Sequence, residues 1–284
     1  MNLPPIGFGC SPYRPGGRRV DLEGAVRVAA ELGYRLFDLA ELYGNERAVG
    51  RALRPFPRSE LFLVGKVWQT NFRPAALRQA CESSLLRLGA DAFDLHLLHA
   101  PEAWRHLGPL GDPEEVGWEE FERRVVPRDA QGNLLTDDVP LAETWEAMRD
   151  LVRRGLTRRI GVSNFSPQQI EDLGLELPAA NQIACSPYEP NAGTAAWCRQ
   201  RGIRLMAHSP LWAAGLLAEP LLRDLASRHR ASPAQIVLRW NLQKGLVPLP
   251  SSTDPDYIAE NLRALDLVLD DVTMAAVDSL DRSR

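Results

Sequence analysis

Leu61-Phe62-Leu63-Val64-Gly65-Lys66 is an apolar run of strand length that ends on a charged side chain. Two other runs end on polar side chains in the same way: Arg35-Leu36-Phe37 leads to Asp38, and Leu95-His96-Leu97-Leu98 leads to His99. In a barrel of parallel strands all strands open at their carboxyl ends on one face, so such residues converge there. These stretches predict a parallel barrel whose polar strand ends meet at one mouth.

The rest of the chain repeats the same alternation of short apolar runs with amphipathic segments. Alternating strands and helices favour a parallel sheet, and barrels of about this length are routinely single domains. We therefore predict one (β/α)8 TIM barrel domain over residues 1–284. The predicted strands are Ile6–Phe8, Leu36–Asp38, Leu61–Lys66, Asp94–His99, Arg159–Val162, Asn181–Ala184, Ile203–His208 and Leu246–Leu249.

Several predicted helices carry recognisable ends. The segment after Asp21 stops at Gly33, and the segment that starts at Pro74 stops at Gly89, where glycine ends a helix readily. Ser232-Pro233-Ala234-Gln235 has the pattern of a capping box at a helix start.

Composition excludes several kinds of partner and location. The net charge of −4 shows no excess of basic residues, so neither nucleic acid nor an anionic membrane is expected as a partner. The four cysteines are scattered, as expected for reduced thiols rather than a disulfide framework. No apolar run reaches membrane-spanning length, and residues 1–5 lack a secretory pattern, so a cytoplasmic location is expected.

Common nucleotide, acyl-transfer and metal motifs are missing. The chain contains no G-x-G-x-x-G, no G-x-x-x-x-G-K-[ST] and no G-x-S-x-G. His96 and His99 are three residues apart, which places them on opposite faces of a strand. No metal site is expected.

The four polar residues at the barrel mouth, with Tyr43 just beyond Asp38, can form a proton donor. A free tyrosine has a pKa of about 10, and a neighbouring ammonium such as Lys66 stabilises its phenolate and lowers that pKa. Asp38 can hold the ammonium, and His99 can orient the group that receives the proton. The combination indicates an enzyme, although an Asp38–Lys66 pair alone also fits a structural ion pair.

Residues 100–139 interrupt the alternation after the fourth strand. Segments this long without regular structure are uncommon in compact domains and often functional. Because the segment leaves the barrel directly after His99, we expect it to overhang the site, with a short helix within Glu114–Arg124. A surface excursion unrelated to the substrate is the alternative.

Several blocks of the sequence resemble the aldo-keto reductase family. Gly33–Gly50 is similar to the family signature, and Leu95–Pro101, Gly161–Phe165 and Asn181–Ile183 match further blocks in the same order. The spacing of the four polar residues also matches the family, and the resemblance extends from Pro5 to about Leu280.

The resemblance implies a barrel that binds a nicotinamide cofactor and reduces an aldehyde or ketone, with no metal. Tyr43 would be the general acid, tuned by Lys66 and Asp38, and His99 would orient the carbonyl. Ser163, Asn164 and Gln182 would bind the carboxamide, although Ser163-Asn164 also suits a helix cap. The remaining matched cofactor positions are His208, Ser209, Leu211, Ser251, Ser252, Thr253, Tyr257, Glu260 and Asn261.

The chain departs from the family pattern at three cofactor positions. His208 stands where the family usually stacks a tyrosine beneath the nicotinamide. Ser251 and Tyr257 stand where NADPH-preferring members usually have Lys and Arg, and two aspartates lie nearby. Charge-assisted hydrogen bonds to a phosphate are strong, so we expect weak discrimination, with a slight lean to NADPH over NADH.

Both ends of the chain are short relative to the family. We therefore expect the chain to lack the family's usual N-terminal hairpin and the C-terminal loop that walls many of its substrate pockets. We predict that the pocket includes Leu42, Trp68 and Ala100, with Trp104 or Trp118 contributed by the long segment; plain packing is the alternative role for Trp68.

Three other functions stay open on the sequence. The same residues would serve an alcohol or sugar dehydrogenase working in the reverse direction. A specialised biosynthetic reductase of an imine or a large intermediate is a second possibility, and a low-turnover regulatory barrel that binds cofactor is a third. The sequence names neither the substrate nor the oligomeric state.

Overall fold

The computed structural model describes residues 2–13, 19–174 and 176–283. Eight parallel strands form one sheet in the order β1 to β8, which confirms the predicted (β/α)8 barrel. No strand precedes β1 within residues 2–6. The strands are β1 Gly7–Gly9, β2 Leu36–Asp38, β3 Phe62–Val67, β4 Leu95–Leu98, β5 Ile160–Ser163, β6 Ala180–Ala184, β7 Arg204–His208 and β8 Leu246–Pro248.

The barrel closes between its first and last strands. The backbone N–H of Gly9 donates to the carbonyl of Pro250 at 2.9 Å, just past the end of β8. Within the barrel, β5 and β6 approach so closely that a side chain at Gly161 would lie 2.6 Å from the carbonyl oxygen of Ala180. A glycine is therefore required at that point of β5.

Helices cover the outside of the barrel and follow the strands as the alternation predicts. Short 3-10 turns occur at Glu41–Tyr43, Arg58–Glu60, Gln69–Asn71, Leu216–Ala218 and Arg263–Asp266. The helices are α1 Glu23–Leu32, α2 Glu46–Leu53, α3 Pro74–Leu88, α4 Pro113–Val116, α5 Trp118–Val125, α6 Leu141–Arg153, α7 Pro167–Glu171, α8 Ala192–Gln200, α9 Pro220–His229, α10 Pro233–Gln243, α11 Pro255–Leu262 and α12 Asp271–Asp278.

Two apolar layers hold these elements together. Inside the barrel, side chains such as Leu36, Val64 and Met206 pack against one another with almost no exposure. A larger cluster fills the space between strands and helices. Burial of this extent is the main favourable contribution to folding.

The helix ends follow the sequence signals closely. Gly33 and Gly89 end α1 and α3 in the left-handed conformation, with φ of 107° and 70°. Ser232 and Gln235 form the predicted capping box of α10. A second capping box, between Ser166 and Gln169, starts α7, so the cap of that helix is Ser166 rather than Ser163 or Asn164.

The long segment after β4 contains the expected short helical structure, divided into α4 and α5. Ion pairs attach it to the barrel: Arg47 pairs with Asp112, and Arg73 pairs with Asp137 at 2.7 Å. The segment is therefore attached to the rest of the barrel at Asp112 and, near its carboxyl-terminal end, at Asp137. None of the helices within the described residues is long and apolar enough to cross a bilayer.

Candidate active site

Asp38, Lys66 and Tyr43 form one contact group at the carboxyl face of the barrel. The Lys66 ammonium donates to Asp38 Oδ2 at 2.7 Å and to the carbonyl of Leu39 at 2.9 Å, and its Nζ lies 3.5 Å from the Tyr43 hydroxyl. Lys66 is almost fully buried, with 1% of its surface exposed. The strand ends therefore bring these three residues together as the sequence predicts.

The pKa of Tyr43 differs from the sequence expectation in direction. Burial, followed by the nearby charge of Asp38, raises the pKa of Tyr43 well above 10. The ammonium of Lys66 makes its closest contacts with Asp38 and Leu39, so it does not reverse this effect. The phenol therefore holds its proton at neutral pH and can act as a hydrogen-bond donor.

His99 lies beside Tyr43 in a partly aromatic environment. Its ring meets the rings of Tyr43 and Trp68 edge to face, at centroid distances of 6.1 and 4.9 Å. Burial and the nearby charge of Lys66 hold the pKa of His99 well below 6.5. The imidazole is neutral at physiological pH and can donate one N–H.

A second group of polar side chains lies across the mouth, at the ends of β5 and β7. His208 Nε2 lies 2.8 Å from Asn164 Oδ1, and Asn164 Nδ2 donates to the carbonyl of His99 at 3.1 Å and to Ser163 Oγ at 3.2 Å. Asn164 and Ser209 both have positive φ, 62° and 53°. Non-glycine residues in this conformation are uncommon and concentrate at functional sites.

Gln182 connects the two groups, because its backbone carbonyl also accepts from the backbone N–H of Asn164 at 2.8 Å. Its Nε2 donates to Asp38 Oδ1 at 2.7 Å, while Asp38 Oδ2 accepts from Lys66. Both carboxylate oxygens of Asp38 are thus occupied, which fixes the side chain. One hydrogen-bonded network extends from Tyr43 and Lys66 through Asp38 to Gln182.

A cavity of about 750 Å³ opens beside this network. Its volume is within the usual range for small-molecule and cofactor sites. Most of the predicted site residues line it: Asp38, Tyr43, His99, Ser163, Asn164, Gln182, His208, Ser209, Leu211, Ser251, Ser252, Tyr257, Glu260 and Asn261. Lys66 is buried behind Tyr43, and Thr253 is exposed outside the cavity lining.

The far end of the cavity carries no cationic side chain. Among the described residues that line the cavity, none is Lys or Arg, and Glu260 contributes a carboxylate at this end. Asp254 caps α11 by accepting from the N–H of Asp256, so a carboxylate already occupies that helix start. This end of the cavity is poorly suited to gripping an extra phosphate.

The residues predicted to contact the substrate pack together beneath the long segment. Trp68 is 8% exposed, lies in a cluster with Phe121 and Val125, and donates from Nε1 to the carbonyl of Val125 at 2.7 Å. Leu42 and Trp104 pack against the same cluster, and Ala100 is half-buried. None of these residues lines the 750 Å³ cavity. Trp68 contacts the ring of His99, which does line it.

Two residues at this face were missed by the sequence reasoning. Glu41 is buried in the turn that carries Tyr43 and binds Trp68 and Asn71. Arg19 donates to the carbonyl of Tyr43 at 2.6 Å and lies 3.8 Å from the ring centroid of Trp118. A carboxylate two residues before Tyr43 was a usable signal for Glu41, whereas the contacts of Arg19 join distant loops and leave no local pattern. Within the described part of the chain, no cluster of His, Cys, Asp and Glu suits a metal ion.

Comparison with known proteins identifies the family. The model of the Aldo/keto reductase family matches residues 5–282. The chain belongs to the aldo/keto reductase family. It is 33% identical over 303 residues to aldo-keto reductase family 1 member A1 of Rattus norvegicus, covering 100% of this chain and 87% of that protein.

Solved structures of family members agree with the barrel described above. Aldose reductase from Schistosoma japonicum has a TM-score of 0.88 and 33% identity, over 99% of this chain and 90% of that one. Aldose reductase from Giardia lamblia has a TM-score of 0.85 and 30% identity, over 98% and 92% of the two chains. This aldo/keto reductase is therefore an oxidoreductase of carbonyl chemistry, and its predicted fold is confirmed.

Proposed function

We propose that this protein reduces an aldehyde or ketone to an alcohol with a nicotinamide cofactor, and that Tyr43 donates the proton. The observation that supports the proposal most directly is the Asp38–Lys66–Tyr43 group, in which a protonated phenol faces a large cavity with a buried ammonium 3.5 Å behind it. Positioned acid catalysis of this kind contributes about two to four orders of magnitude in rate.

Tyr43 acts on the carbonyl oxygen. A phenol whose pKa is raised by burial stays protonated until negative charge develops on a neighbouring oxygen, and it then transfers its proton. Lys66 stabilises the phenolate that remains. Asp38 accepts a hydrogen bond from the Lys66 ammonium and holds it in place, and Gln182 in turn fixes Asp38. Neutral His99 donates an N–H to the same carbonyl oxygen and orients it.

The residues around the cavity fit a nicotinamide cofactor. Ser163, Asn164 and Gln182 supply hydroxyl and amide groups suited to the carboxamide, and His208 presents an aromatic ring beside them. Ser209 and Leu211 continue along the cavity toward Ser251, Tyr257, Glu260 and Asn261. When bound, the cofactor supplies the hydride.

Cofactor selection follows from the far end of the cavity. No Lys or Arg lines it among the described residues, and the Asp254 carboxylate caps α11 where a phosphate would otherwise meet the helix start. We infer that the chain discriminates little between NADPH and NADH, and that these features offset the slight lean to NADPH predicted from the sequence. The absence of a cation also leaves the reverse reaction, alcohol oxidation with NAD, as the second candidate function.

The test is Tyr43→Phe, assayed with a panel of aldehydes and ketones and both cofactors in both directions. Only a hydroxyl is removed, so cofactor affinity should stay within about twofold while turnover falls by about two orders of magnitude or more. A variant that keeps more than about a third of wild-type turnover, with chemistry rate-limiting, would refute the assignment of Tyr43 as the acid.

A further inference from the structure

Glu41 is a buried acid in the single turn that carries Tyr43. The turn covers Glu41–Tyr43, and 4% of the Glu41 surface is exposed. Within the described residues Glu41 has no Lys or Arg partner at ion-pair distance, although the neighbouring acid Glu46 is paired with Arg87 at 2.6 Å. A buried carboxylate without a cation is unfavourable for folding, so its position calls for an explanation.

The two oxygens of Glu41 hold the loop that follows β3. Oε2 accepts from the backbone N–H of Trp68 at 3.1 Å, and Oε1 accepts from Asn71 Nδ2 at 2.7 Å. Both donors lie in the segment directly after the strand that ends at Val67 and carries Lys66. Glu41 thus connects the turn of Tyr43 to the loop beyond Lys66.

The hydrogen bonds of Glu41 join the two chain segments that carry Tyr43 and Lys66, whose contact the proposed acid needs. Tyr43 is two residues after Glu41, Lys66 is two residues before Trp68, and the distance from Lys66 Nζ to the Tyr43 hydroxyl is 3.5 Å. This distance is at the outer limit of a hydrogen bond, so a small displacement of either backbone removes it. Trp68 in turn lies 4.9 Å from the His99 ring.

We propose that Glu41 is a positioning residue that holds the turn of Tyr43 in register with Lys66 and His99 through its hydrogen bonds to Trp68 and Asn71. The inference rests on the proposed reduction mechanism. Glu41 does not touch the cavity that would hold substrate and cofactor, so it acts only through the residues it positions.

The hydrogen bonds, rather than the negative charge, carry this role. Asn71 Oδ1 is buried with no hydrogen-bond partner among the residues that the structure describes. If the Asn71 amide is rotated by 180°, this oxygen can accept from a protonated Glu41 or from a glutamine in its place. Among the described residues, the charged and titratable groups near Glu41 are Glu46 from α2, Cys81 and Arg87 from α3, and His106 from the long segment. His106 lines a small cavity together with Glu41 and Asn71. A neutral side chain of the same shape should therefore preserve the connection.

The experiment compares Glu41→Ala and Glu41→Gln with wild type, after turnover of the wild-type enzyme on an aldehyde has been established. Glu41→Ala should lower kcat by about tenfold or more, because misplacement of catalytic groups by a fraction of an ångström is costly. The dissociation constant for NADPH or NADH should change less than about twofold, and Glu41→Gln should restore kcat to within about threefold of wild type. If Glu41→Ala does not fold, Asn71→Leu tests the same connection by removing one of its two donors, with a smaller expected loss of kcat.

The outcomes separate this inference from the function on which it rests. A wild-type enzyme inactive on every carbonyl and alcohol tested would refute the proposed function. An active wild type with a Glu41→Ala variant of normal kcat would refute the positioning role alone. A glutamine variant as impaired as the alanine variant would also refute it, because the effect would then depend on charge.

Discussion

Replacing Glu41 with glutamine should make the protein more stable at alkaline pH while leaving it active. Burial raises the pKa of Glu41 from 4.5 to about 7, and the neighbouring charge of Glu46 acts in the same direction. Because the folded pKa lies above the unfolded one, the folded state prefers the protonated acid. Wild-type stability should therefore decline as the pH rises from about 4.5 to about 7. Above that range the destabilisation caused by ionised, buried Glu41 is fully present.

The size of the effect follows from the same values. A folded-state pKa of about 7 in place of 4.5 means that ionised Glu41 lowers the free energy of unfolding by about 3 kcal/mol relative to the protonated acid. Glutamine is neutral in both states, so its stability relative to wild type should increase by about that amount between about pH 4.5 and pH 8. In a chain of 284 residues this corresponds to a rise in Tm of roughly 5 °C.

The assay is denaturant unfolding of both proteins at the acidic and alkaline ends of this range. Glu46→Gln is the matched control, because Glu46 is equally buried but pairs with Arg87. Loss of the Glu46 charge leaves that guanidinium without its partner, so the control should be destabilised at alkaline pH. Parallel stability curves for wild type and Glu41→Gln would refute the reasoning, since they would show that Glu41 does not change its ionisation on folding.

Three further predictions address the cofactor and the long segment. His208→Phe should weaken cofactor binding about threefold, because Asn164 Oδ1 loses its partner at 2.8 Å; unchanged binding by fluorescence titration would show that this contact does not position Asn164. Phe121→Ala should raise the Michaelis constant for the substrate but not the dissociation constant for the cofactor, since Phe121 packs against Trp68 beneath the segment. The control is Leu134→Ala, at an exposed position of the same segment. Wild-type preference between NADPH and NADH should stay within about tenfold, and Ser251→Lys with Tyr257→Arg should shift it toward NADPH in a salt-sensitive way; a preference above a hundredfold in the wild type would reveal an unidentified phosphate site.

The fold was predictable because its signals are local and repeated. Each strand is a short apolar run that ends within a residue or two of the predicted position, as β3 at Phe62–Val67 illustrates. Gly33, Gly89 and the Ser232 capping box mark helix ends through the conformation or hydrogen bonds of single residues. Parallel topology then places Asp38, Lys66 and His99 at one face without any further information.

The contacts of the long segment could not be predicted from the sequence. The sequence predicted that it overhangs the site and contains a short helix, but not that Trp68 is enclosed with Phe121 and Val125 beneath it. The contacts that attach it, such as Arg73 with Asp137, join residues far apart in the chain and have no periodic signature. The contacts of Glu41 were missed for the same reason, because its partners Trp68 and Asn71 lie in the loop after β3, far from Glu41 in the sequence.

The ionisation of Tyr43 depends on a balance that residue identities do not reveal. A lysine beside a tyrosine suggests a lowered pKa, yet the ammonium of Lys66 lies closest to Asp38 and Leu39, and burial dominates the phenol. A phenol with a raised pKa is fully protonated when the carbonyl arrives, so no activation is needed before proton transfer. The ammonium then matters most after transfer, when the phenolate would otherwise be an unpaired charge in a buried site. In the proposed mechanism Lys66 therefore stabilises the phenolate left by the proton transfer, across the 3.5 Å between its Nζ and the Tyr43 hydroxyl. The positioning role proposed for Glu41 is to hold this separation.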